Sequence, residues 1–354
     1  MTDIAIVTGS SGMVGSEAVE FLLGQGFAVH GVDNDMRSIF FGEQASTVWN
    51  ERRLTESYDN YTHHSVDIRD RANVERVFKT YDKDIKLIVH SAAQPSHDWA
   101  AEQAMTDFTV NANGTLVLLE LARRYCPDTV FIYMSTNKVY GDRPNSFPFV
   151  EEETRWELES KHPYYAQGID ETMIIDECMH SLFGVSKLSG DLMVQEFGRY
   201  FGMKTACFRA GCLTGSAHSG TELHGFLSYL MMCTMKKMPY KVYGYKGKQV
   251  RDNIHSSDTV AALYQFYKRP GVGKVYNLGG GRHSNCSVLE AIRMCEEISG
   301  NKLKWEYVDK ARAGDHIWWI SDVTRFKTDY PEWDYKYTLQ QTLQEIHDGL
   351  RKRL

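Results

Sequence analysis

The stretch Thr8-Gly9-Ser10-Ser11-Gly12-Met13-Val14-Gly15 constrains the fold of this chain more than any other. It follows the apolar run Ile4-Ala5-Ile6-Val7 and leads into Val14, Ala18, Phe21 and Leu22, which recur at helical spacing. Glycines at such a place let the chain turn tightly and let backbone N–H groups approach an anion at the positive end of a helix. Gly24 and Gly26 punctuate the helix end, and a second apolar run closes on Asp33. Residues 1–33 therefore read as a βαβ unit with a dinucleotide-binding fingerprint.

Strand candidates at 3–8, 27–33, 85–90, 129–135 and 204–209 alternate with amphipathic helical patterns. The fold class expected is α/β, a Rossmann-type doubly wound parallel sheet. Beyond about residue 210 the alternation gives way to Gly-rich turns and isolated aromatics, among them Tyr240, Tyr243, Tyr245, Trp305, Trp318 and Trp319. That region reads as a smaller C-terminal substrate-binding lobe. The expected division is a dinucleotide-binding domain over 1–206, to which 253–282 return, and a lobe formed by 207–252 and 283–354.

A net charge of −6 offers no general attraction to nucleic acid or anionic membrane, so any phosphate site must be built locally. The seven cysteines are scattered without a C-x-x-C pair, which argues against a disulfide framework or zinc cluster, and no metal is expected. No leader or membrane-length apolar stretch is visible, so the expected location is cytoplasmic.

Asp33, at the tip of the second strand, can accept from both adenosine ribose hydroxyls and would repel a 2′-phosphate, which favours NAD over NADP. Arg37 stands close enough in sequence to hold such a phosphate instead. Asp67 has two readings: it closes the adenine pocket, or it caps a helix over 69–80.

These features combine with His90-Ser91-Ala92-Ala93-Gln94 after one strand, Ser135-Thr136-Asn137-Lys138-Val139-Tyr140-Gly141 after another, Gly247-Lys248-Gln249-Val250-Arg251-Asp252-Asn253-Ile254-His255, and Arg312-Ala313-Gly314-Asp315. Together they resemble the extended short-chain dehydrogenase/reductase family of nucleotide-sugar enzymes, over nearly the whole chain. Within it, Asp142 after the 135–141 stretch, Glu153-Thr154-Arg155, the insertion holding Gly168-Ile169-Asp170-Glu171, and 247–252 are similar to the CDP-paratose (CDP-tyvelose) 2-epimerases.

The resemblance implies NAD held by Gly9, Ser11, Gly12, Met13, Val14, Gly15, Asp33, Asn34, Asp67, Ile68, Ala92, Ala93, Gln94, Asn111 and Lys187. It implies a nucleotide-sugar substrate, CDP-linked by preference, bound by Thr136, Asn137, Lys138, Arg251 and Arg312, with Lys246 and Arg282 as weaker candidates. It also implies a homodimer built on helical segments near 100–124 and 181–202. Relatives that act as 4,6-dehydratases carry Asp-Glu directly after the catalytic threonine; Asn137-Lys138 cannot play that acid and base pair, so dehydration is disfavoured.

One position departs from the pattern. Phe183, one helical turn before Lys187, stands where the family places its catalytic tyrosine, and a phenyl ring cannot accept a proton. Thr136 can hydrogen-bond the reacting hydroxyl but is too weak a base. The candidates to replace the phenol are Lys187, if desolvated, His97, Cys212, and Tyr165 with its neighbour Tyr164. The expected function is an NAD-dependent nucleotide-sugar epimerase acting through a transient keto-sugar, a CDP-sugar 2-epimerase by resemblance. The alternatives are a dehydrogenase or dehydratase of the same family, or a binding protein that has lost catalysis.

Overall fold

The computed structural model describes residues 2–353 apart from 219, 223 and 313, so Ala313 of the 312–315 stretch lies outside the described residues. The chain divides into two compact units, one of residues 1–136, 182–209 and 259–276, the other of 137–181, 210–258 and 277–354. The sequence alone places 137–181, 253–258 and 277–282 with the first unit and 207–209 with the second; in the structure each of these segments clusters with the other unit.

The first unit is built on a seven-stranded sheet. Its strands are β1 (Ile4–Thr8), β2 (Ala28–Asp33), β3 (Tyr61–Ser65), β4 (Ile85–His90), β5 (Val130–Thr136), Lys204–Ala210 and Lys274–Leu278. Their order from edge to edge is Lys274–Leu278, Lys204–Ala210, β5, β4, β1, β2, β3, and the pairings among β1 to β5 are parallel. β1 is buried at all five positions, as a central parallel strand covered on both faces must be. The core joins Ile6, Ile88 and Phe131 from the sheet to Phe78, Leu118 and Val194 from helices.

Strand order reverses beside β1: the chain runs on to β2 and β3 on one side and to β4 and β5 on the other. Ligands bind at the carboxyl ends of strands at such a switch point. The Gly9 turn follows β1 there, and Ser91-Ala92-Ala93-Gln94 follows β4.

In the second unit, strand Val250–His255 pairs antiparallel with Asn285–Ser287 and parallel with Cys212–Thr214 and Trp318–Trp319. Helices Phe226–Lys236, Val288–Ser299 and Leu339–Arg353 contribute Leu230, Ile292 and Leu343 to a separate core. The 137–181 insertion is fastened to this unit through its own backbone. The Ile169 amide donates to Ile320 O at 2.7 Å, and Asn277 Nδ2 and the Asp322 amide donate to Ile169 O at 2.8 and 2.9 Å.

Candidate cofactor and catalytic site

Gly9 adopts φ +67°, and a Cβ there would lie 2.8 Å from the Ala92 amide nitrogen, so the two loops at the switch point meet only through glycine. A Cβ on Gly15 would fall 1.9 Å from Gly9 O, which fixes how closely the first helix, Met13–Gly24, packs beneath the turn. Gly15→Ala overpacks this contact at a cost of roughly 1–3 kcal/mol. The expected result is a loss of NAD affinity of about tenfold or more, read by calorimetric titration.

Asp33 is aimed by the backbone: Oδ2 accepts the Ser11 amide at 3.0 Å and Oδ1 the Asp35 amide at 2.9 Å. Burial pushes its carboxyl above the usual range, and those two amide bonds act against the shift. Ser11 Oγ is buried and has no hydrogen-bond partner among the described residues. It lines a pocket with Asp33, Asn34, Asp35, Thr47, Val48, Glu51, His63 and Ser65. An orphaned hydroxyl, a turn with no room for a Cβ and a backbone-aimed carboxylate fit the adenosine and pyrophosphate end of NAD. Asp35, Glu51 and His63 had no sequence signal, because their role depends on loop 42–48 folding against the strand ends.

Asp67 is not the helix cap. Helix Arg71–Tyr81 is capped by Asp70, whose side chain accepts from the Asn73 amide, while Asp67 pairs with Arg69 at 2.6 Å. Burial raises its pKa, but the Arg69 hydrogen bonds outweigh that and hold it below the usual carboxylate range. Ile68 is buried and fills the space a Cβ on Gly114 would need.

On the β4 and β5 side, a hydrogen-bond chain fixes the expected residues. Thr8 Oγ1 meets His90 Nδ1 at 2.7 Å, His90 Nε2 meets Thr115 Oγ1 at 2.9 Å, and Thr115 donates to Asn111 O at 2.6 Å. Asn111, in a π-helical turn over Thr109–Asn113, accepts the Gln94 amide at 2.9 Å and lies 3.0 Å from Ser186 Oγ. Asp107 accepts from both Gln94 and Asn111. Asp107 and Ser186 were not singled out in the sequence, although the 107/111 spacing of one helical turn is visible there.

Thr136 ends β5, half-buried. Phe183 opens helix Leu182–Phe201 and is buried, its ring edge-on to His97 with centroids 5.0 Å apart and planes at 72°. His97 is half-buried and begins the short helix His97–Glu102, whose cap is Ser96 Oγ. Lys187 is buried; Nζ donates to Met134 O at 2.8 Å and sits 4.1 Å over the Tyr133 ring. Desolvation lowers its pKa to about 7.

The lowered Lys187 pKa makes stability depend on pH. With a folded pKa below the unfolded one, the unfolded chain binds the extra proton between about 7 and the ordinary lysine value. Native stability therefore rises with pH across that window. Lys187→Met is expected to stabilise the fold most below pH 7, with the gain shrinking toward pH 10, by urea unfolding across pH. A gain independent of pH would contradict the buried-amine account.

The second unit carries the expected anion-binding side chains. Lys138, in the 3-10 turn Asn137–Tyr140, donates to Gly314 O at 2.9 Å and meets His316 Nδ1 at 3.3 Å. Desolvation first, and then Arg251, lower its pKa to about 8. Arg251 is buried in its strand and pairs with Asp315, whereas Asp252 accepts the Ser321 amide at 2.9 Å and the Gly281 amide at 3.2 Å. Arg312 lies 4.6 Å over the Tyr243 ring and donates to Glu222 O at 2.8 Å. Arg282 is held by Glu157 at 2.8 Å and Lys246 by Glu151 at 2.7 Å.

Cys212 lies in this unit too; burial pushes its thiol up to about 11, so it stays protonated at neutral pH. Tyr165 is partly exposed with Arg282 over its ring, and Tyr164 packs with Phe147 and His162. Tyr140 is buried and donates to Asn277 Oδ1 at 2.8 Å, a packing residue. Among the described residues, no group of three or more His, Cys, Asp or Glu side chains is placed to hold a metal ion, and no helix is long and apolar enough to cross a membrane.

A sequence model of the NAD dependent epimerase/dehydratase family matches residues 5–279. The chain belongs to this family. Its cofactor is accordingly NAD. The chain is 28% identical to a CDP-paratose 2-epimerase of Salmonella typhi over 350 residues, covering 97% of this chain and 98% of the relative. It is also 28% identical to a dTDP-glucose 4,6-dehydratase of Neisseria meningitidis serogroup B over 369 residues, covering 98% and 91%. In fold it is similar to the UDP-glucuronic acid 4-epimerase of Bacillus cereus, solved with UDP-glucuronic acid and NAD, at a TM-score of 0.80 and 21% identity over 99% of this chain and 100% of the other.

Proposed function

We propose that the chain is an NAD-dependent nucleotide-sugar epimerase, acting on a CDP-linked sugar at C2, in which His97 takes the proton that the family tyrosine would take. The observation that carries this reading is the edge contact between His97 and Phe183: an imidazole stands against the ring that occupies the phenol's place. Lys187 is a weaker choice because its amine is engaged with Met134 O and the Tyr133 face. Cys212 is held as a thiol, and the Tyr165 ring is covered by the Arg282 guanidinium.

Bound NAD would accept a hydride from the sugar carbon and return it to the opposite face. The chain's part is to hold, orient and move one proton. Thr136 hydrogen-bonds the reacting hydroxyl, His97 removes its proton as the keto-sugar forms, and the same imidazolium gives the proton back. Lys138, Arg251 and Arg312 bind the nucleotide diphosphate through charge-assisted bonds, with Asn137 alongside.

The likeness to a CDP-paratose 2-epimerase supports the CDP and C2 assignments. The likeness to a dTDP-glucose 4,6-dehydratase does not favour dehydration, since an amide and an ammonium follow Thr136 where an acid and base pair would be required. Seven free cysteines suit a reducing, cytoplasmic setting. Leu182, Val185 and Leu192 are exposed along one face of helix Leu182–Phe201, with Met105 and Phe108 exposed on Ala104–Phe108, and this apolar surface is suited to a homodimer.

The test is incubation of the purified chain with CDP-linked hexoses, following epimers by NMR and absorbance at 340 nm together. The epimerase reading expects a new C2 epimer with flat absorbance. Absorbance rising in step with product would show net oxidation instead.

A further inference from the structure

We infer that Glu51 acts with Asp33 as a second determinant of NAD over its 2′-phosphorylated form, and that Arg37 has no part in holding a 2′-phosphate. The inference rests on the family's use of a nicotinamide dinucleotide and is independent of which sugar is epimerised. Its starting point is the pocket behind the Gly9 turn, where Ser11, Asp33, Asp35, Thr47, Glu51 and His63 meet. Ser11 Oγ, 3% exposed by residue and without a partner among the described residues, marks the pocket as built for a polar ligand group.

Three carboxylates line this pocket, but they are not equivalent. Asp35 is used up internally: Oδ1 accepts the Thr47 amide at 2.8 Å and Oδ2 the Ser46 hydroxyl at 2.8 Å. It fastens the segment that forms the pocket wall. Asp33 is aimed by two amides and suits a pair of ribose hydroxyls. Glu51 comes from the first turn of helix Val48–Ser57, with His63 Nε2 4.0 Å from its carboxylate.

A 2′-phosphate entering this pocket would bring about two negative charges against both carboxylates. The first turn of a helix otherwise favours an anion, and Glu51 offsets that attraction at its source. Arg37, the sequence candidate for a 2′-phosphate, lies with its guanidinium carbon 5.0 Å from the Phe41 ring centroid, and burial lowers its pKa to about 10. It covers an aromatic face.

The experiment measures dissociation constants of NAD and NADP for the full chain by calorimetry, without turnover. Glu51→Gln is expected to lower the NADP-to-NAD ratio of dissociation constants about tenfold, and Glu51→Lys about a hundredfold. Arg37→Ala is expected to leave the ratio within about twofold. A ratio unmoved in both Glu51 variants, with thermal melts showing them folded, overturns the inference. So does a rise in the ratio on Arg37→Ala, since that would make Arg37 the phosphate ligand. A native chain that binds neither dinucleotide overturns the cofactor reading itself, which tells the two failures apart.

Discussion

Replacing His97 by alanine is expected to lower the epimerisation rate by about 10²–10⁴-fold, the usual contribution of a positioned acid–base group, or roughly 3–5 kcal/mol of barrier. Position 183 lacks a group that can take the proton. Its phenyl ring is buried and meets His97 edge-on at 5.0 Å, and it offers no atom that can hold a proton. The lysine one turn on has its amine hydrogen-bonded to Met134 O. His97→Gln keeps a polar side chain of similar size but no ring that cycles a proton, and is expected to lose nearly as much. Restoring the phenol by Phe183→Tyr in the His97→Ala background is expected to recover about tenfold or more of the rate, because it returns an ionisable group to the place where the family keeps one. A His97→Ala rate within about threefold of the native chain would move the proton acceptor elsewhere.

The second large effect is on stability. Asp191 is fully buried and its two oxygens are both shared out: Oδ1 accepts from Arg209 at 2.9 Å and Gln195 at 2.6 Å, and Oδ2 accepts Arg209 Nε at 3.1 Å and Ser135 Oγ at 2.5 Å. Asp191→Ala leaves the Arg209 guanidinium buried without its counter-charge, at a cost of about 3–5 kcal/mol. Replacing both partners, Asp191→Leu with Arg209→Met, is expected to cost much less, because no charge remains stranded. The check is the urea midpoint of each variant with the slope held fixed. A single-variant loss under about 1 kcal/mol would mean that water reaches the site and screens the charge. Because Ser135 adjoins Thr136, the same variant is expected to disturb the reacting end of β5 as well as the fold.

How much of this was legible in the sequence follows from where burial is signalled. β1, β4 and β5 were readable as mostly apolar runs, and β2 and Lys204–Ala210 as shorter apolar stretches between turn signals and helical patterns. β3 was not: it is an edge strand reading Tyr-Thr-His-His-Ser, and only Tyr61 is buried. Lys274–Leu278, the opposite edge, is equally short and opens on a lysine. At the site, the glycine turn and Asp33 were legible because local geometry dictates them. The His97 contact with Phe183 was not, since it joins the start of a short helix after β4 to a helix that follows an insertion. The fastening of residues 137–181 by Ile169, Asn277 and Asp322 is likewise a long-range arrangement with no local pattern behind it.

The central claim is a closed cycle in which the hydrogen removed from the sugar carbon returns to that same carbon. It is tested most directly with a CDP-linked sugar carrying deuterium at C2, turned over by the native chain in ordinary water and analysed by NMR and mass spectrometry. The account predicts a C2 epimer that keeps its deuterium at C2 and a reaction that proceeds with phenylalanine at position 183. Loss of the deuterium to solvent, or its appearance at another carbon, would contradict it.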